Sequence, residues 1–196
     1  MAQTDAVKRG QYVFTAPGCA GCHTDIKNKG ALLAGGRELK TSFGVFYGPN
    51  ITPDKIHGIG DWNDEDFIRA LRHGVAPDGS HYFPVFPYTS FTKLTDQDMR
   101  DLKAYLFSLP PSEKPNIPHD IKFPFDIRAG MMAWKFLFLG TGPFLPNPTR
   151  SEVWNRGAYL SEAMVHCGEC HTPRNSFGAA ILDRAYAGTR EGPEGA

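Results

Sequence analysis

The 196-residue chain carries no net charge before any cofactor is counted, because 21 Lys and Arg balance 21 Asp and Glu. Such a balance gives no basic surface for nucleic acid, and no nucleic-acid partner is expected. No apolar run is able to span a bilayer: the strongly apolar stretch 125–139 is too short and is broken by Arg128 and Lys135. The opening, Met1-Ala2-Gln3-Thr4, lacks the apolar core of a secretory leader and reads as a mature or re-engineered start. Cysteine is scarce, with four residues in all. Gly and Pro are plentiful instead, at 21 and 16, which points to long loops and little sheet. The length suits one or two small domains.

The four cysteines fall into two motifs of one spacing, Cys19-Ala20-Gly21-Cys22-His23 and Cys167-Gly168-Glu169-Cys170-His171. Two thiols three positions apart, followed at once by histidine, suit covalent haem attachment: each thiol takes one haem vinyl as a thioether, and the next residue lies beneath the iron. On this reading Cys19, Cys22, Cys167 and Cys170 hold two haem c groups, and His23 and His171 are iron ligands. A zinc site built from all four thiolates is a poorer reading, because compact zinc ribbons keep their pairs tens of residues apart and these pairs lie at opposite ends of the chain. A thioredoxin-like motif does not call for histidine after both copies. A disulfide within either pair would be strained.

Helical signals frame the first motif. Asp5–Thr15 has Asp5 as a cap and Val7, Gly10, Val13 and Phe14 roughly on one face. Gly10, with Phe14 one turn on, would let another helix approach closely. Residues 61–73 predict a helix with Asn63 as N-cap, Asp66 as the acid three residues later and Gly74 as the stop. Thr95 caps a longer helix whose apolar stripe is Met99, Leu102, Tyr105, Leu106 and Leu109, ended by Pro110 and Pro111. Between them, Phe43 to Asp54 is rich in Gly and Pro and predicts an irregular wrap. Val153 to Leu160 repeats Val7 to Val13 ahead of the second motif, an imperfect internal repeat.

Gly48-Pro49-Asn50-Ile51-Thr52-Pro53-Asp54, Gly58-Ile59-Gly60-Asp61-Trp62, Asp78-Gly79, Pro84-Val85-Phe86-Pro87-Tyr88 and Leu94-Thr95-Asp96 through Ala104-Tyr105-Leu106 resemble the multihaem cytochrome c subunits of periplasmic and membrane-bound dehydrogenases, such as those acting on alcohol and gluconate. The resemblance runs through nearly the whole chain. It implies a mainly α fold: two cytochrome c-like haem units, joined by a Pro-rich linker, with the second incomplete at its C-terminal side. The expected domains are 1–111 and 151–196, with a Pro-rich and aromatic linker over 112–150. After His171, Gly178-Ala179 can be set against Gly30-Ala31, and Ala187-Gly188 falls in a comparable loop, but nothing matches the later loops or closing helix. Resemblance to full-length relatives favours a fragment of a longer protein. Completion by the linker, by the first unit or by another chain is the alternative.

In that family the sixth iron ligand is typically methionine in a Tyr-Pro-Ala-Met-Pro-Tyr stretch. Here the run is Phe83-Pro84-Val85-Phe86-Pro87-Tyr88, and phenylalanine at 86 cannot bind iron. His81, on the same Pro-bounded loop, is the preferred substitute. His73 and His57 are simpler as a helix-end and a loop residue, and Met99 as core. For the second haem, Met131, Met132 and His119 are internal candidates, each with a plain structural role as well.

The expected function is electron transfer by a dihaem c-type cytochrome, from a partner dehydrogenase toward a respiratory acceptor. The alternative is a haem enzyme, reducing peroxide or oxidising a small sulfur compound at an open iron. Thioether attachment places the protein outside the cytoplasm, in a bacterial periplasm. Stretch 125–139 reads first as a packed helix and otherwise as an interfacial helix that contacts a membrane or docks a larger subunit.

Overall fold

The structure, a computed structural model, describes residues 4–189. From Thr4 the chain enters α1 (Asp5–Thr15), then α2 (Cys19–His23) and a 3-10 turn at Ile26–Asn28. Strands β1 (Glu38–Thr41) and β2 (Gly44–Tyr47) follow, then α3 (Asp64–His73), α4 (Tyr88–Phe91) and α5 (Asp96–Phe107). After β3 (Asp120–Ile121) come α6 (Gly130–Phe138), α7 (Glu152–Tyr159), a π-helical turn at Leu160–Met164, α8 (Gly168–His171) and a 3-10 turn at Leu182–Arg184. The architecture is mainly helical, as expected. No helix among the described residues is long and apolar enough to cross a membrane. Packing divides the chain inside α3: Met1–Phe67 with Asp96–Asp126 forms one unit, and Ile68–Thr95 with Ile127–Ala196 the other.

The helix ends follow local chemistry. Asn63 Oδ1 accepts from Asp66 N at 2.8 Å and Asp66 Oδ2 accepts from Asn63 N at 3.3 Å, a reciprocal capping box at the start of α3. The box sits where the sequence put it, although the helix begins at Asp64 and not at Asp61. On α1 the cap is Thr4, whose hydroxyl accepts from Val7 N at 3.3 Å, and Asp5 is instead the acid of the first turn. Ser151 caps α7 in the same way.

In the first unit α1 lies directly on α5. A Cβ on Gly10 would sit 1.9 Å from the Asp101 carbonyl oxygen, so the glycine permits the crossing foreseen from sequence. Phe14 packs on Tyr105 with ring centroids 5.0 Å apart. Arg9 clamps Asp101 from the side, Nε to Oδ2 at 2.6 Å and Nη2 to Oδ1 at 2.8 Å, and Gln97 adds a bond at 3.0 Å. Asp101 is only 2% exposed, so these donors replace nearly all of its water.

The irregular wrap expected over Phe43 to Asp54 is corrected at its beginning. β1 and β2 form an antiparallel hairpin, Leu39 opposite Phe46, and β3 adds to β2 through Gly44 opposite Ile121. The Thr41 hydroxyl makes the turn, accepting from Phe43 N and donating to Gly44 O, and Val45-Phe46-Tyr47 supplies the strand-forming side chains. Beyond the hairpin, Asn50 is buried and spends its whole amide: Nδ2 donates to Ser112 O and Lys114 O, while Oδ1 accepts from both Thr52 N and Thr52 Oγ1. Residues 112–116 are thus fastened along this unit, with Asn50 N donating to Asn116 Oδ1 at 2.7 Å.

In the second unit the aromatic stretch makes α6. Trp134 and Lys135 are buried, whereas Phe136 is 90% and Leu137 67% exposed, so one face packs and the opposite face is apolar and open. Trp134 joins Tyr88 and Ala179 in a core flanked by Phe86, Met131 and Phe138. Lys93 pairs with Glu162 at 2.9 Å and the Tyr159 hydroxyl accepts from Thr95 N, joining the segment 88–95 to α7 and the π turn.

The Arg9 pair holds the Asp101 carboxyl below the ordinary carboxylate range. Its stabilisation is therefore complete above the unfolded value of about 4 and is lost as pH falls through the lower folded value. Asp101→Asn should cost about 1 kcal/mol at neutral pH, since one partner is half in solvent, and its thermal midpoint should converge on the parent's below about pH 4. Thermal unfolding followed from pH 2 to 7 measures both.

Candidate haem sites

At the first motif, Gly18 in the left-handed conformation turns the chain into α2, which is a single turn over Cys19–His23. Cys19 and Cys22, three residues apart on that turn, project to one side, and neither is in a disulfide. Burial pushes the Cys19 thiol up to about 12. No group of three or more His, Cys, Asp or Glu able to hold a metal ion exists among the described residues.

His23 is oriented by a backbone carbonyl. Its Nδ1 lies 2.8 Å from Pro49 O, and since a carbonyl only accepts, Nδ1 carries the hydrogen and Nε2 keeps its lone pair. That tautomer suits an iron ligand. The carbonyl reaches the ring because the chain passes tightly beneath it: a Cβ on Gly48 would fall 1.8 Å from Cys22 O. His23 O accepts from Gly35 N at 2.8 Å, and Thr24 Oγ1 accepts from Leu33 N at 3.0 Å with Leu33 left-handed at φ 60°.

The second motif repeats this backbone. His171 O accepts from Gly188 N at 2.8 Å, and Thr172 Oγ1 accepts from Tyr186 N at 3.1 Å with Tyr186 also at φ 60°. Leu33-Ala34-Gly35 therefore corresponds to Tyr186-Ala187-Gly188 across a loop five residues longer. Gly178-Ala179, set against Gly30-Ala31 in the sequence, serves a different turn, with Gly178 N bonded to Asn175 O and Gly30 N to Asp25 O. The π turn brings in Cys167, through Val165 N to Leu160 O at 2.7 Å and Cys167 N to Ser161 O at 2.9 Å. Among the described residues no partner lies on the His171 ring. Nearby the Tyr88 hydroxyl is buried without a hydrogen-bond partner among the described residues, and burial together with the Glu169 charge keeps that phenol protonated. An orphaned donor in an aromatic wall is a feature a haem edge would satisfy.

His81 belongs to the second unit, where Lys135 Nζ lies 3.0 Å from its Nδ1. Lys135 also donates to His73 O at 2.8 Å and Gly74 O at 2.6 Å, and it lies over the Tyr88 ring at 4.7 Å. Three acceptors match the three hydrogens of an ammonium, so His81 Nδ1 accepts and its proton resides on Nε2. In this arrangement the ring has no lone pair to give an iron. Burial and the Lys135 charge both lower the basicity of His81, keeping it neutral. Met99 is fully buried core, and Met131 flanks the Tyr88–Trp134 cluster while Met132 is exposed. His119 accepts from Tyr47 N through Nδ1 in the first unit.

Three functional groups escaped the sequence reading: the Pro49 carbonyl, Lys135 and Glu169. Gly48-Pro49 was legible only as part of an irregular wrap, and which group its carbonyl meets depends on a contact 26 residues away.

A CxxCH turn with its histidine fixed to offer Nε2 defines a c-type haem site. The chain belongs to the cytochrome c family, whose model matches residues 7–110 and so takes in the first motif. Its cofactor is covalently bound haem c. The chain is 47% identical to a diheme cytochrome c-type protein of Cereibacter sphaeroides, over 98% of this chain and 65% of that protein. With the fructose dehydrogenase cytochrome subunit of Gluconobacter japonicus it shares 42% identity over 89% of this chain and 36% of that protein. It is 41% identical to the gluconate 2-dehydrogenase cytochrome c subunit of Pantoea cypripedii, over 86% of this chain and 38% of that protein. The chain thus spans less than two thirds of each of these relatives.

Lys135→Met should strand the His73 carbonyl, leave Gly74 O with Tyr82 N alone and lower stability by about 2 kcal/mol at pH 7. Burial pulls the parent ammonium down to about 8, below the unfolded value of about 10.4, so the unfolded state binds the proton more tightly between those limits. Parent stability should therefore rise from pH 8 to 10 while the variant lacks this rise. Urea unfolding across that range is the measurement.

Proposed function

We propose that the chain is a dihaem electron carrier, which accepts single electrons from a partner dehydrogenase and passes them toward a respiratory acceptor. The observation that carries this reading is the repeated CxxCH backbone, with its histidine carbonyl, threonine hydroxyl and left-handed loop residue bonded alike in both copies. Relatives named as a diheme cytochrome and as cytochrome subunits of dehydrogenases support it. The haem domains proposed are 1–111 and 151–196, with 112–150 between them. A periplasmic setting is part of the same proposal, since thioether attachment belongs outside the cytoplasm. The exposed apolar face of α6, Met132, Phe136 and Leu137, is proposed as the surface that meets the dehydrogenase subunit or a membrane.

The chemistry the haem supplies is the ferric–ferrous couple of its iron. The chain's own share is to hold and orient it. Cys19, Cys22, Cys167 and Cys170 fix the attachment, Pro49 O keeps the lone pair of His23 on Nε2, and His171 is the proximal ligand of the second site. His81 is proposed as the third acceptor of Lys135 and not as an iron ligand. For catalysis at an open iron the sequence offers Arg69, Arg72, His73 and His81 as distal groups; of these Arg72 donates to Thr92 O and Leu94 O, and His81 accepts from Lys135, which disfavours both as a distal acid or base.

Intact mass of the purified protein should show two haem additions, and Cys22→Ala with His23→Ala should remove one. The parent should cycle between its ferric and ferrous states and should not turn over peroxide. A single haem addition, or rapid peroxide turnover, would sink the dihaem-carrier reading.

A further inference from the structure

Glu169 lies inside the second cysteine pair, and both its carboxylate oxygens are taken. Oε1 accepts from Thr89 Oγ1 at 2.7 Å and from Ser90 Oγ at 2.8 Å, both on α4. Oε2 accepts from Arg174 Nη2. Arg174 in turn donates from Nη1 to Gly178 O at 2.6 Å and from Nη2 to Glu169 O at 3.2 Å, bracing the loop that follows the motif. The two side chains are 14% and 27% exposed, so water screens the charges weakly. At the matching place in the first motif stands Gly21, and nothing lies within 4 Å of where its Cβ would be. The two haem turns share a backbone but differ in charge and in anchoring.

We propose that Glu169 and Arg174 set the reduction potential of the second haem relative to the first, and that Thr89 and Ser90 are positioning residues that hold the carboxylate in place. The inference rests on the second motif binding haem iron. A carboxylate two residues from the proximal histidine favours the ferric ion, whose charge is higher by one, and a guanidinium disfavours it. Because the two charges offset each other, deleting either one exposes the other. With Gly21 in place of the carboxylate, the first motif lacks this pair among the described residues, so only one of the two potentials should respond. Loss of packing alone cannot give shifts of opposite sign.

The test is a redox titration of the full haem-loaded protein, with the two haems resolved spectroscopically. Glu169→Gln should raise one midpoint potential, Arg174→Gln should lower the same one, and the double variant should return toward the parent while the other haem stays unchanged. Thr89→Val with Ser90→Ala retains both charges and should speed amide exchange at Cys170 and His171. Single variants that shift the potential in the same direction, or not at all, would overturn the proposal even where two haem additions are confirmed by mass. A parent carrying one haem would instead overturn the dihaem reading, and this proposal with it.

Discussion

A histidine that presents one ring nitrogen to a metal has to be held by the other, and in the first unit that hold is the Pro49 carbonyl, 2.8 Å from His23 Nδ1. Much of the surrounding structure serves this contact. Gly48 lets the chain lie against Cys22 O, and Asn50 and Thr52 then bind the same segment to residues 112–116. Lys114 Nζ reaches back to Gly35 O, whose own N–H holds the His23 carbonyl. A displacement of the 112–116 stretch would therefore reach the histidine through a short series of backbone bonds. Beside the buried Leu33 and Ala34, this site is held by satisfied polar groups along an irregular loop.

In the second unit a different constraint governs. Lys135 enters the core while its neighbour Phe136 remains almost fully in solvent. Hydrophobicity alone would place them the other way round. What reverses the order is the end of α3, where the His73 carbonyl has no further turn to receive it and the Gly74 carbonyl, which accepts from Tyr82 N at 2.7 Å, has a second lone pair to fill. An ammonium with three donors satisfies both and takes His81 Nδ1 as well, and the Tyr88 ring lies beneath it. The cost of burying one cation is offset by the donors it supplies to these acceptors, the His73 carbonyl above all.

What was legible in the sequence was local. The Asn63–Asp66 capping box, the Pro110-Pro111 stop, the need for a close helix at Gly10 and both CxxCH motifs are set by residues within a few positions of one another. The contacts that went unseen join distant parts of the chain: Pro49 to His23, Lys135 to the end of α3, Glu169 to Thr89 and Ser90. The hairpin at 38–47 was hidden for another reason. Its Gly and Pro neighbours signalled a loop, and the short β-branched and aromatic run between them was outweighed until strand pairing could be counted. Read as an interruption in an apolar stretch, Lys135 was given the right character and the wrong address.

The repeat shows how far a duplicated backbone can diverge in its chemistry. Arg9-Gly10 and Arg156-Gly157 occupy the same place ahead of their motifs, yet Gly10 meets the Asp101 carbonyl closely and nothing described lies within 4 Å of the Gly157 Cβ position. Arg9 grips a buried carboxylate, whereas Arg156 lies over the Tyr159 ring. Inside the motifs, glycine at 21 leaves one turn bare and glutamate at 169 ties the other to α4. Attachment geometry that is the same twice cannot by itself give two sites different potentials. The difference has to come from the charges and donors around each copy, which is where these two motifs part.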